Sequence, residues 1–521
     1  MSAGKSHSLN DGRTPMQSTA TKAVPEVPLL LAGRWEMSGA ERRAEILNPS
    51  NGRVIAQLPL CSADETSRVI ESAAAAFPEW SDTPVIERAR VMFRFRELLQ
   101  REFSSLAALI TRENGKTIAE SRAEVRRGIE MVEFACGIPS LLMGQSLANI
   151  AGGVDAEVLR HPIGVCVGIA PYNFPVMVPA WMFPVALVCG NTFVLKPSEK
   201  VPLSAVRLGE LLIEAGLPAG AFNIVHGDRE CVETLLSHPL VSAVSFVGST
   251  AVARNIYETA CRNGKRVQAA GGAKNYLVVM PDADLDETVE AISGSAYGCA
   301  GQRCMAGSVV AAVGSIGDRL MERLVERAGR LRVGPTDGAD EVDMGPLIRR
   351  EHKERVAGYL DIASGDGGSI ALDGRRLFES ESFLLGPCIV DEVQPGTTLA
   401  TAEIFGPVLS VMRVRDFDGV LELSHDCPYG NGASIFTRDG RLAREFKQRF
   451  PAGMIGINVG VPAPMAWLPF SGWNQSFFGD LHMQGIEGIQ FFTRSKVTLT
   501  HWFKPRASAA EDPLWQQRPG M

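Results

Sequence analysis

The regular alternation of short apolar runs with helical patterns, which starts near residue 163, constrains the fold more than any other feature of this sequence. Short buried strands that alternate with helices are typical of a parallel sheet with helices on both faces. The alternation resumes after residues 271–273, so the sequence predicts an α/β fold with two α/β domains. The runs interpreted as strands are residues 164–169, 192–195, 222–225, 243–247, 276–280, 308–313, 404–413 and 431–436.

Helical periodicity completes this pattern on both sides of the predicted boundary. A late stretch, residues 491–502, alternates threonine with apolar residues and is predicted to be a strand. A chain of 521 residues is too long for one compact core, which agrees with two or three domains. The predicted helices are residues 64–80, 86–112, 204–215, 285–297 and most of 348–364.

The bulk composition excludes several classes of protein. The formal net charge is −7, which argues against nucleic acid or an anionic membrane as the main partner. Residues 171–195 are the most apolar stretch, but prolines and asparagines interrupt it, which argues against a membrane helix. Ten cysteines without a CxxC pair predict no metal site and a reducing, cytoplasmic location.

The first residues of the chain, 1–26, are predicted to form a disordered extension. They carry basic residues among serine, threonine and glycine, but they lack the apolar core of a signal peptide. A mitochondrial presequence is the alternative, although the segment has no clear amphipathic pattern.

Polar residues at three predicted strand ends of the first domain favour a nucleotide site. Asn173 follows one apolar strand, Lys196 ends the next, and Gly248 and Ser249 follow a third. In open α/β sheets, ligands bind at the carboxyl ends of the strands. A glycine and a hydroxyl group at a helix N-terminus offer N–H groups to a phosphate. Each feature alone is also typical of an ordinary surface lysine or turn; their combination at one sheet edge predicts the nucleotide site.

Cys304 is the candidate nucleophile. It follows a glycine-rich helix end, residues 298–301, and Arg303 precedes it directly. A cysteine attacks as its thiolate, which nearby positive charge favours. The alternative from the local sequence is a buried, inert thiol.

Five motifs, in this order and spacing, resemble the aldehyde dehydrogenase superfamily over roughly residues 28–503. A closer resemblance is to the CoA-acylating methylmalonate-semialdehyde dehydrogenase branch. The five motifs are Pro-Tyr-Asn-Phe-Pro at 171–175, Lys-Pro-Ser-Glu at 196–199, Phe-Val-Gly-Ser-Thr at 246–250, Gly-Gln-Arg-Cys at 301–304 and Glu-Ile-Phe-Gly-Pro at 403–407. The branch resemblance lies in Gly-Lys-Arg-Val-Gln at 264–268, Gly-Ala-Lys-Asn at 272–275, Gly-Gln-Arg-Cys-Met-Ala at 301–306 and Gly-Ile-Gln-Phe-Phe-Thr at 488–493.

The resemblance implies a division of the chain and an assembly. It implies a Rossmann-like NAD-binding domain, an α/β catalytic domain and a small β element that joins a neighbouring subunit in a homodimer or homotetramer. The implied ranges are 27–137 and 161–271 for NAD binding, 272–487 for catalysis, 138–160 and 488–503 for the oligomerisation strands, and 504–521 for a loose tail.

The resemblance also assigns roles at matching positions. Cys304 would attack the aldehyde, and the side-chain amide of Asn173, with the Cys304 N–H, would stabilise the resulting oxyanion. Two arginines, Arg303 and Arg127, would hold a substrate carboxylate. The alternative for Arg127 is that it belongs only to a solvated helix face. The residues implied for NAD binding are Lys196 and Glu199 at the adenosine ribose, Gly248 and Ser249 at the pyrophosphate, Glu403 at the nicotinamide ribose and Phe405 at the nicotinamide ring.

Two positions depart from the family pattern. Hydrolytic members have a glutamate, which activates water, where this chain has Ala270. A CoA thiol needs less help because its thiolate is a strong nucleophile, so Ala270 favours acyl transfer to CoA. The CoA-acylating branch usually has asparagine there, so alanine departs from that pattern too. Ala253 replaces a glycine that is frequent in the phosphate-binding segment.

The sequence therefore predicts NAD-dependent oxidation of a semialdehyde, with acyl transfer to CoA. The expected conversion is malonate or methylmalonate semialdehyde to acetyl-CoA or propionyl-CoA plus carbon dioxide. One alternative is a hydrolytic aldehyde dehydrogenase with a different base near Cys304. The other is a catalytically weak binding or structural relative, against which the presence of Cys304, Asn173, Lys196 and Glu403 argues.

Overall fold

A computed structural model describes residue 1 and residues 24–338, 340–377 and 382–503 of the chain. The predicted α/β class is confirmed: two large sheets, built mainly from parallel strands, are flanked by helices. The predicted disordered extension and loose tail lie largely outside the described residues. The division into domains stays a prediction.

Helix starts in the first half follow capping signals in the sequence. Ser62 and Thr117 each form a capping box with the glutamate three residues later. In chain order, the elements among residues 24–271 are β1 (Leu29–Leu31), β2 (Arg34–Glu36), β3 (Arg43–Leu47), β4 (Val54–Pro59), α1 (Ala63–Asp82), α2 (Val85–Arg101), α3 (Phe103–Asn114), α4 (Ile118–Cys136), α5 (Ile138–Leu141), β5 (Gln145–Ala151), β6 (Val154–Pro162), β7 (Val165–Ile169), α6 (Met177–Val188), β8 (Thr192–Lys196), α7 (Leu203–Glu214), β9 (Phe222–Ile224), α8 (Arg229–Ser237), β10 (Val241–Val247), α9 (Thr250–Arg262) and β11 (Arg266–Ala270).

The second half repeats the alternation of strands and helices, and its first helix has the predicted bounds, 285–297. The elements that follow β11 are β12 (Asn275–Val279), α10 (Leu285–Tyr297), β13 (Gly307–Val313), α11 (Gly317–Gly329), α12 (Arg350–Ile362), β14 (Ser369–Leu372), β15 (Cys388–Asp391), α13 (Thr398–Thr401), β16 (Val408–Val414), α14 (Phe417–Asp426), β17 (Tyr429–Gly430), β18 (Gly432–Phe436), α15 (Gly440–Arg449), β19 (Met454–Ile457), β20 (Trp473–Asn474), β21 (Phe477–Gly479), α16 (Gly485–Phe491) and β22 (Thr493–His501).

The first large sheet has the strand order β2-β1-β9-β8-β7-β10-β11-β21. From β7 the chain moves outward through β8 and β9, and then returns to place β10 on the other side of β7. This reversal creates a crevice at the carboxyl ends of β7 and β10, where open α/β sheets bind ligands. Register pairs Ile169 with both Lys196 and Phe246, so the three strand ends are level with one another.

The second large sheet has the order β14-β15-β16-β13-β12-β18-β19, and its interior strand β12 is buried along its whole length. The two sheets are connected near the chain's midpoint and again near its end. There β21 pairs with β11, so that Ala270 lies opposite Phe477. Residues from both halves therefore meet beside the carboxyl end of β11.

A separate three-stranded sheet has the order β22-β6-β5. Strands β5 and β22 fall within the ranges predicted for oligomerisation, whereas β6 extends two residues beyond them, to Pro162. The predicted ranges also include α5 and the end of α16, which are helical. Leu147, Leu159, Val497 and Leu499 expose apolar side chains on this sheet.

Two predicted boundaries were wrong for identifiable reasons. The helix predicted over 86–112 is interrupted at Glu102, which ends α2 and precedes α3. The strand predicted from residue 404 begins only at Val408, because Phe405 has a φ of +57°, which a strand does not accommodate.

The apolar stretch 171–195 contains α6, which is buried among the helices and strands that pack on the first large sheet. Among the described residues, no helix combines the length and the apolar character that crossing a membrane requires.

Candidate active site

The candidate nucleophile follows a strained turn at the end of α10. Cys299, Ala300 and Gly301 have φ angles of +53°, +51° and +71°. Left-handed backbone is costly for residues other than glycine and persists where the surroundings fix it. A Cβ at Gly301 would lie 2.2 Å from the carbonyl oxygen of Gly406, so the turn packs directly on the segment before β16. The path of the chain is therefore fixed before it reaches the thiol.

Two amide side chains hold the backbone of Cys304. The Nδ2 atoms of Asn275 and Asn431 donate to its carbonyl oxygen at 2.9 and 3.0 Å. Asn275 begins β12, and Asn431 directly precedes β18. Neither asparagine was identified from the sequence. Asn431 lies more than a hundred residues from Cys304, and Asn275 stands at an ordinary strand start. The one signal that could have indicated a role is that Asn275 belongs to a motif used for the family resemblance.

The Cys304 thiol is partly exposed and lies at the inner end of the largest cleft described below. Burial raises its pKa to about 12, the negative charge of Glu403 acts in the same direction, and Arg303 opposes them only weakly. The raised pKa favours the thiol over the thiolate at neutral pH. The adjacent arginine therefore does not lower the pKa in the way that the sequence suggested.

Asn173 lies beside the nucleophile segment. Its Nδ2 donates to the carbonyl oxygen of Gln302 at 3.0 Å, and the neighbouring Tyr172 carbonyl accepts from Asn114 Nδ2 at 2.8 Å. These bonds place an amide donor next to Cys304, as an oxyanion role requires. That role stays a prediction.

A buried ion pair supports the loop that carries Asn173. Glu124 accepts from the backbone N–H groups of Val176 and Met177 at 2.8 and 3.1 Å, at the start of α6. Its other oxygen binds Lys116, whose Nζ lies 3.8 Å from the centre of the Phe174 ring. Lys116 and Glu124 are 3% and 2% exposed, so the pair is fully inside the protein. This support was not predicted from the sequence.

All eight predicted catalytic and cofactor residues line one cleft of about 1040 Å³. Its outer part lies over the carboxyl ends of the first sheet, and its inner end reaches the second half of the chain. The eight residues are Asn173, Lys196, Glu199, Gly248, Ser249, Cys304, Glu403 and Phe405.

The outer part of the cleft carries a lysine–glutamate pair and a helix start. Lys196 Nζ lies 3.5 Å from Glu199. Although burial acts to raise the pKa of Glu199, the charge of Lys196 lowers it overall. Ser249 is the N-cap of α9, and a Cβ at Gly248 would lie 2.4 Å from the Phe246 ring. A lysine–glutamate pair and a helix N-terminus in one cleft have the chemistry that binds the ribose hydroxyls and the phosphates of a dinucleotide.

Glu403 lies at the inner end of the cleft, together with Cys304. Its Oε1 accepts from the Ala273 N–H at 2.9 Å. A Cβ at Gly272 would lie 2.4 Å from its Oε2, so glycine leaves the room that the carboxyl group fills. Burial raises the pKa of Glu403 to about 7.

Phe405 forms an aromatic wall on the same side of the cleft. Its ring centre is 5.9 Å from that of Tyr172, in an edge-to-face arrangement. The imidazole Nε2 of His352 lies 2.7 Å from the Phe405 carbonyl oxygen. His352 was not identified from the sequence, where it appears as an ordinary polar residue of a helix.

The two predicted carboxylate-binding arginines do not share a partner in this structure. Arg303 donates to the carbonyl oxygens of Gly294 and Ser295 in α10, and it lines a small cavity of about 10 Å³ that Cys304 also lines. Arg127 pairs with Glu130 at 2.9 Å and also contacts the loop at residues 464–465. Their role toward a substrate stays a prediction.

The two departures from the family pattern occupy buried positions. Ala270 ends β11 and is 5% exposed, so no carboxylate enters the site from this strand. Ala253 lies in α9 and is fully buried against the core beside the first sheet. Its methyl group fills core space and does not line the cleft.

The chain belongs to the aldehyde dehydrogenase family, whose model matches residues 35–498. This match confirms the family resemblance seen in the motifs.

Comparison with individual proteins narrows the likeness. The chain is 50% identical over 487 residues to malonate-semialdehyde dehydrogenase 2 of Geobacillus thermodenitrificans, covering 93% of this chain and 100% of that protein. It is 48% identical to malonate-semialdehyde dehydrogenase of Halalkalibacterium halodurans, covering 91% and 97%.

Solved structures agree with these sequence comparisons. Methylmalonate-semialdehyde dehydrogenase from Oceanimonas doudoroffii superposes with a TM-score of 0.90 at 45% identity, covering 92% of this chain and 99% of that one. A proposed methylmalonate-semialdehyde dehydrogenase from Sinorhizobium meliloti 1021, solved with NAD, superposes with a TM-score of 0.91 at 42% identity, covering 93% and 99%.

Proposed function

We propose that this chain is an NAD-dependent semialdehyde dehydrogenase that transfers the acyl group to CoA. The substrate is malonate or methylmalonate semialdehyde, and the products are acetyl-CoA or propionyl-CoA, carbon dioxide and NADH. The observation that carries the proposal is Cys304 at the inner end of a nucleotide-sized cleft, with alanine at position 270.

The cleft fits NAD by its chemistry. Lys196 and Glu199 offer an ammonium and a carboxylate that suit ribose hydroxyls, and Gly248 and Ser249 directly precede α9, whose N-terminus suits a pyrophosphate. The carboxylate of Glu199 disfavours a 2′-phosphate and so favours NAD over NADP. When bound, NAD supplies the hydride acceptor.

The first half of the reaction uses the residues at the inner end. The Cys304 thiol releases its proton to solvent as its sulfur adds to the aldehyde carbon, and the amide of Asn173 donates to the oxygen that becomes negative. One such donor lowers a barrier by about 3 kcal/mol in other enzymes. Oxidation then leaves the acyl group on Cys304 as a thioester.

The second half follows from the substrate's carboxylate and from Ala270. With a β-carboxylate, the thioester carbonyl accepts the electrons of the C–C bond that breaks when carbon dioxide leaves, and the α-carbon of the resulting enolate takes up a proton from solvent. Alanine cannot activate water, so the CoA thiol takes the acyl group. Arg303, which shares a cavity with Cys304, and Arg127 are the proposed carboxylate ligands, after they exchange their present partners.

We further propose a cytoplasmic homodimer or homotetramer. The exposed apolar side chains of the three-stranded sheet, such as Val497 and Leu499, support an assembly through β22. Size-exclusion chromatography with light scattering tests it, and a monomer at micromolar concentration would contradict it.

A hydrolytic dehydrogenase is the second candidate, because Glu403 provides a carboxyl group beside Cys304. Product analysis separates the two. Each semialdehyde is incubated with NAD, with and without CoA, and the products are identified by mass spectrometry. Acyl-CoA formation and turnover that depends on CoA are expected; NADH formation that ignores CoA and yields free acid would refute acyl transfer.

A further inference from the structure

We propose that the Glu403 carboxylate accepts the thiol proton of the incoming acyl acceptor. It would thereby act as the base that the alanine at position 270 cannot provide. This inference rests on the proposed transfer to CoA and adds a proton acceptor to it. It gives Glu403 a role in the second half of the reaction, in addition to its predicted contact with the nicotinamide ribose in the first.

The geometry places Glu403 and the reacting sulfur of Cys304 in the same part of the site. Glu403 and Cys304 both line the inner end of the large cleft and the small cavity that adjoins it. The Ala273 N–H holds Oε1 at 2.9 Å. Oε2 lies over Gly272, where any side chain would displace it. One oxygen is therefore anchored, and the other remains available for a proton.

The charges around Glu403 keep its carboxyl group poised near neutral pH. Burial raises its pKa to about 7, while Arg355 and Lys274 oppose that rise. Lys274 is 3% exposed, and its Nζ has no hydrogen-bond partner among the described residues. The titratable or charged side chains whose electrostatic interactions connect them with Glu403 are Cys304, Lys274, Arg355, Tyr172 and Tyr429.

The acidity of Glu403 suits a thiol better than water. A thiol has a pKa of about 8.5, against 15.7 for water. Transfer from a thiol to a carboxylate with a pKa of about 7 is nearly balanced, whereas transfer from water is steeply uphill. The same carboxylate therefore favours thiolysis of the acyl-enzyme over its hydrolysis.

The proton and the electron pairs balance without another reactant. As the acceptor sulfur bonds to the thioester carbon, its S–H bond breaks and the proton passes to Glu403 Oε2. The C=O electrons move to the oxygen beside Asn173. When they return, the C–S bond to Cys304 breaks, and Glu403 gives its proton to the Cys304 sulfur. The high pKa of Cys304, about 12, favours this return to the thiol.

The test isolates acyl transfer from the nucleotide. Cys304 is acylated without NAD by p-nitrophenyl acetate, and its discharge is followed by rapid-quench mass spectrometry. Two acceptors are compared: CoA, whose thiol is largely protonated at neutral pH, and an acidic aromatic thiol that is already a thiolate. Glu403→Gln is compared with the native enzyme and with Glu113→Gln, which removes another buried carboxyl group whose pKa is about 7 but which does not line the cleft.

The expected result depends on the acceptor. Discharge of Glu403→Gln by CoA falls by about 10²-fold, the lower range for general base catalysis, whereas discharge by the aromatic thiolate keeps its native rate. The native rate with CoA rises with pH through an apparent pKa near 7, since the carboxylate must be ionised. Glu403→Gln loses that limb, and Glu113→Gln keeps it.

Lys274→Met provides a second, independent readout. Removal of the ammonium charge raises the pKa of Glu403, so the rising limb of the CoA profile shifts to higher pH. A purely structural role for Glu403 would lower both acceptors equally and leave the limb in place. Equal losses with both thiols, or no loss with either, overturn the inference. A native acyl-enzyme that no thiol discharges faster than water overturns the proposed CoA transfer as well.

Discussion

Two buried regions of this molecule differ in how completely their charged side chains are hydrogen-bonded. The cap region consists of Glu113, Lys116 and Glu124, on and between α3 and α4. The cleft floor comprises Cys304 and Glu403, which line the cleft, together with Ala270 and Lys274, which are buried behind the lining. Burial raises the pKa of both Glu113 and Glu403 to about 7, so the two carboxyl groups have the same acidity in different surroundings.

The difference lies in their partners. Glu113 accepts from the N–H groups of Leu203 and Ser204 and from the Ser204 hydroxyl, and Glu124 is equally saturated. Glu403 has one backbone donor, and the neighbouring Lys274 amine has no hydrogen-bond partner in the described part of the chain. A carboxyl group whose oxygens all have hydrogen-bond donors holds the backbone in place. A carboxyl group with an oxygen that lacks a donor can still bind a ligand or exchange a proton.

The largest expected effect is a loss of activity without a loss of stability, and it follows from a change in the cleft floor. Cys304→Ala removes the nucleophile, and we expect kcat to fall by more than about 10⁴-fold, as in other enzymes that lose theirs. Thermal stability is expected to stay near the native value, because the thiol does not belong to a hydrogen-bond network that supports the fold. NADH production and a melting curve measure the two quantities. Unchanged turnover would support the alternative of a catalytically weak relative.

The next largest effect concerns the cap region, where a substitution is expected to lower stability. Glu124→Ala leaves the Lys116 ammonium buried without its partner and frees two N–H groups at the start of α6. We expect unfolding to require about 3–5 kcal/mol less free energy, the usual result of breaking a buried pair. Chemical denaturation measures it. Replacing both members, Lys116→Met with Glu124→Leu, is the control and should restore part of the loss.

A smaller effect is expected where the two regions meet. Asn173 lies on the loop that Glu124 supports, and its amide faces the cleft. Asn173→Ala should lower kcat by about 10²–10³-fold while stability changes little. Asn173→Asp, of similar shape but negatively charged, should lose at least as much. A variant that loses stability in proportion to activity would place Asn173 with the structural groups instead.

The cleft floor was partly predictable from the sequence, and the cap region was not. Cys304 and Glu403 belong to motifs of contiguous residues, and strand ends at one edge of a parallel sheet converge by geometry. Lys116 and Glu124 lie eight residues apart, and their partners lie some fifty residues further on. Periodicity shows that α4 is amphipathic, but it cannot show which element packs on it.

The same limit explains the boundaries that were missed. The break at Glu102 and the left-handed Phe405 depend on tertiary packing that overrides local propensity. The acidity of Cys304 was also unpredictable, because the adjacent Arg303 turns toward the carbonyl oxygens of α10 instead of the sulfur. Sequence neighbours are not always electrostatic neighbours.

The smallest expected effect concerns the pH dependence of stability. The pKa of Glu113 lies at about 7 in the folded protein, above its ordinary value of 4.5. The folded state therefore holds this proton more tightly than the unfolded state does. The stabilising contribution is complete below pH 4.5, declines as the pH rises, and is lost at about pH 7. Its size is about 3 kcal/mol.

Glu113→Gln removes this titration and should flatten the corresponding part of the stability profile. Denaturant midpoints of the native protein and the variant, compared at about pH 5 and about pH 8, give the difference. Glu403 is expected to contribute a slope of the same sign, so Glu403→Gln should flatten the profile too, although its group serves catalysis. If Glu113→Gln kept the native slope, the three hydrogen bonds to Glu113 would hold it as the carboxylate, and its likeness to Glu403 in acidity would disappear.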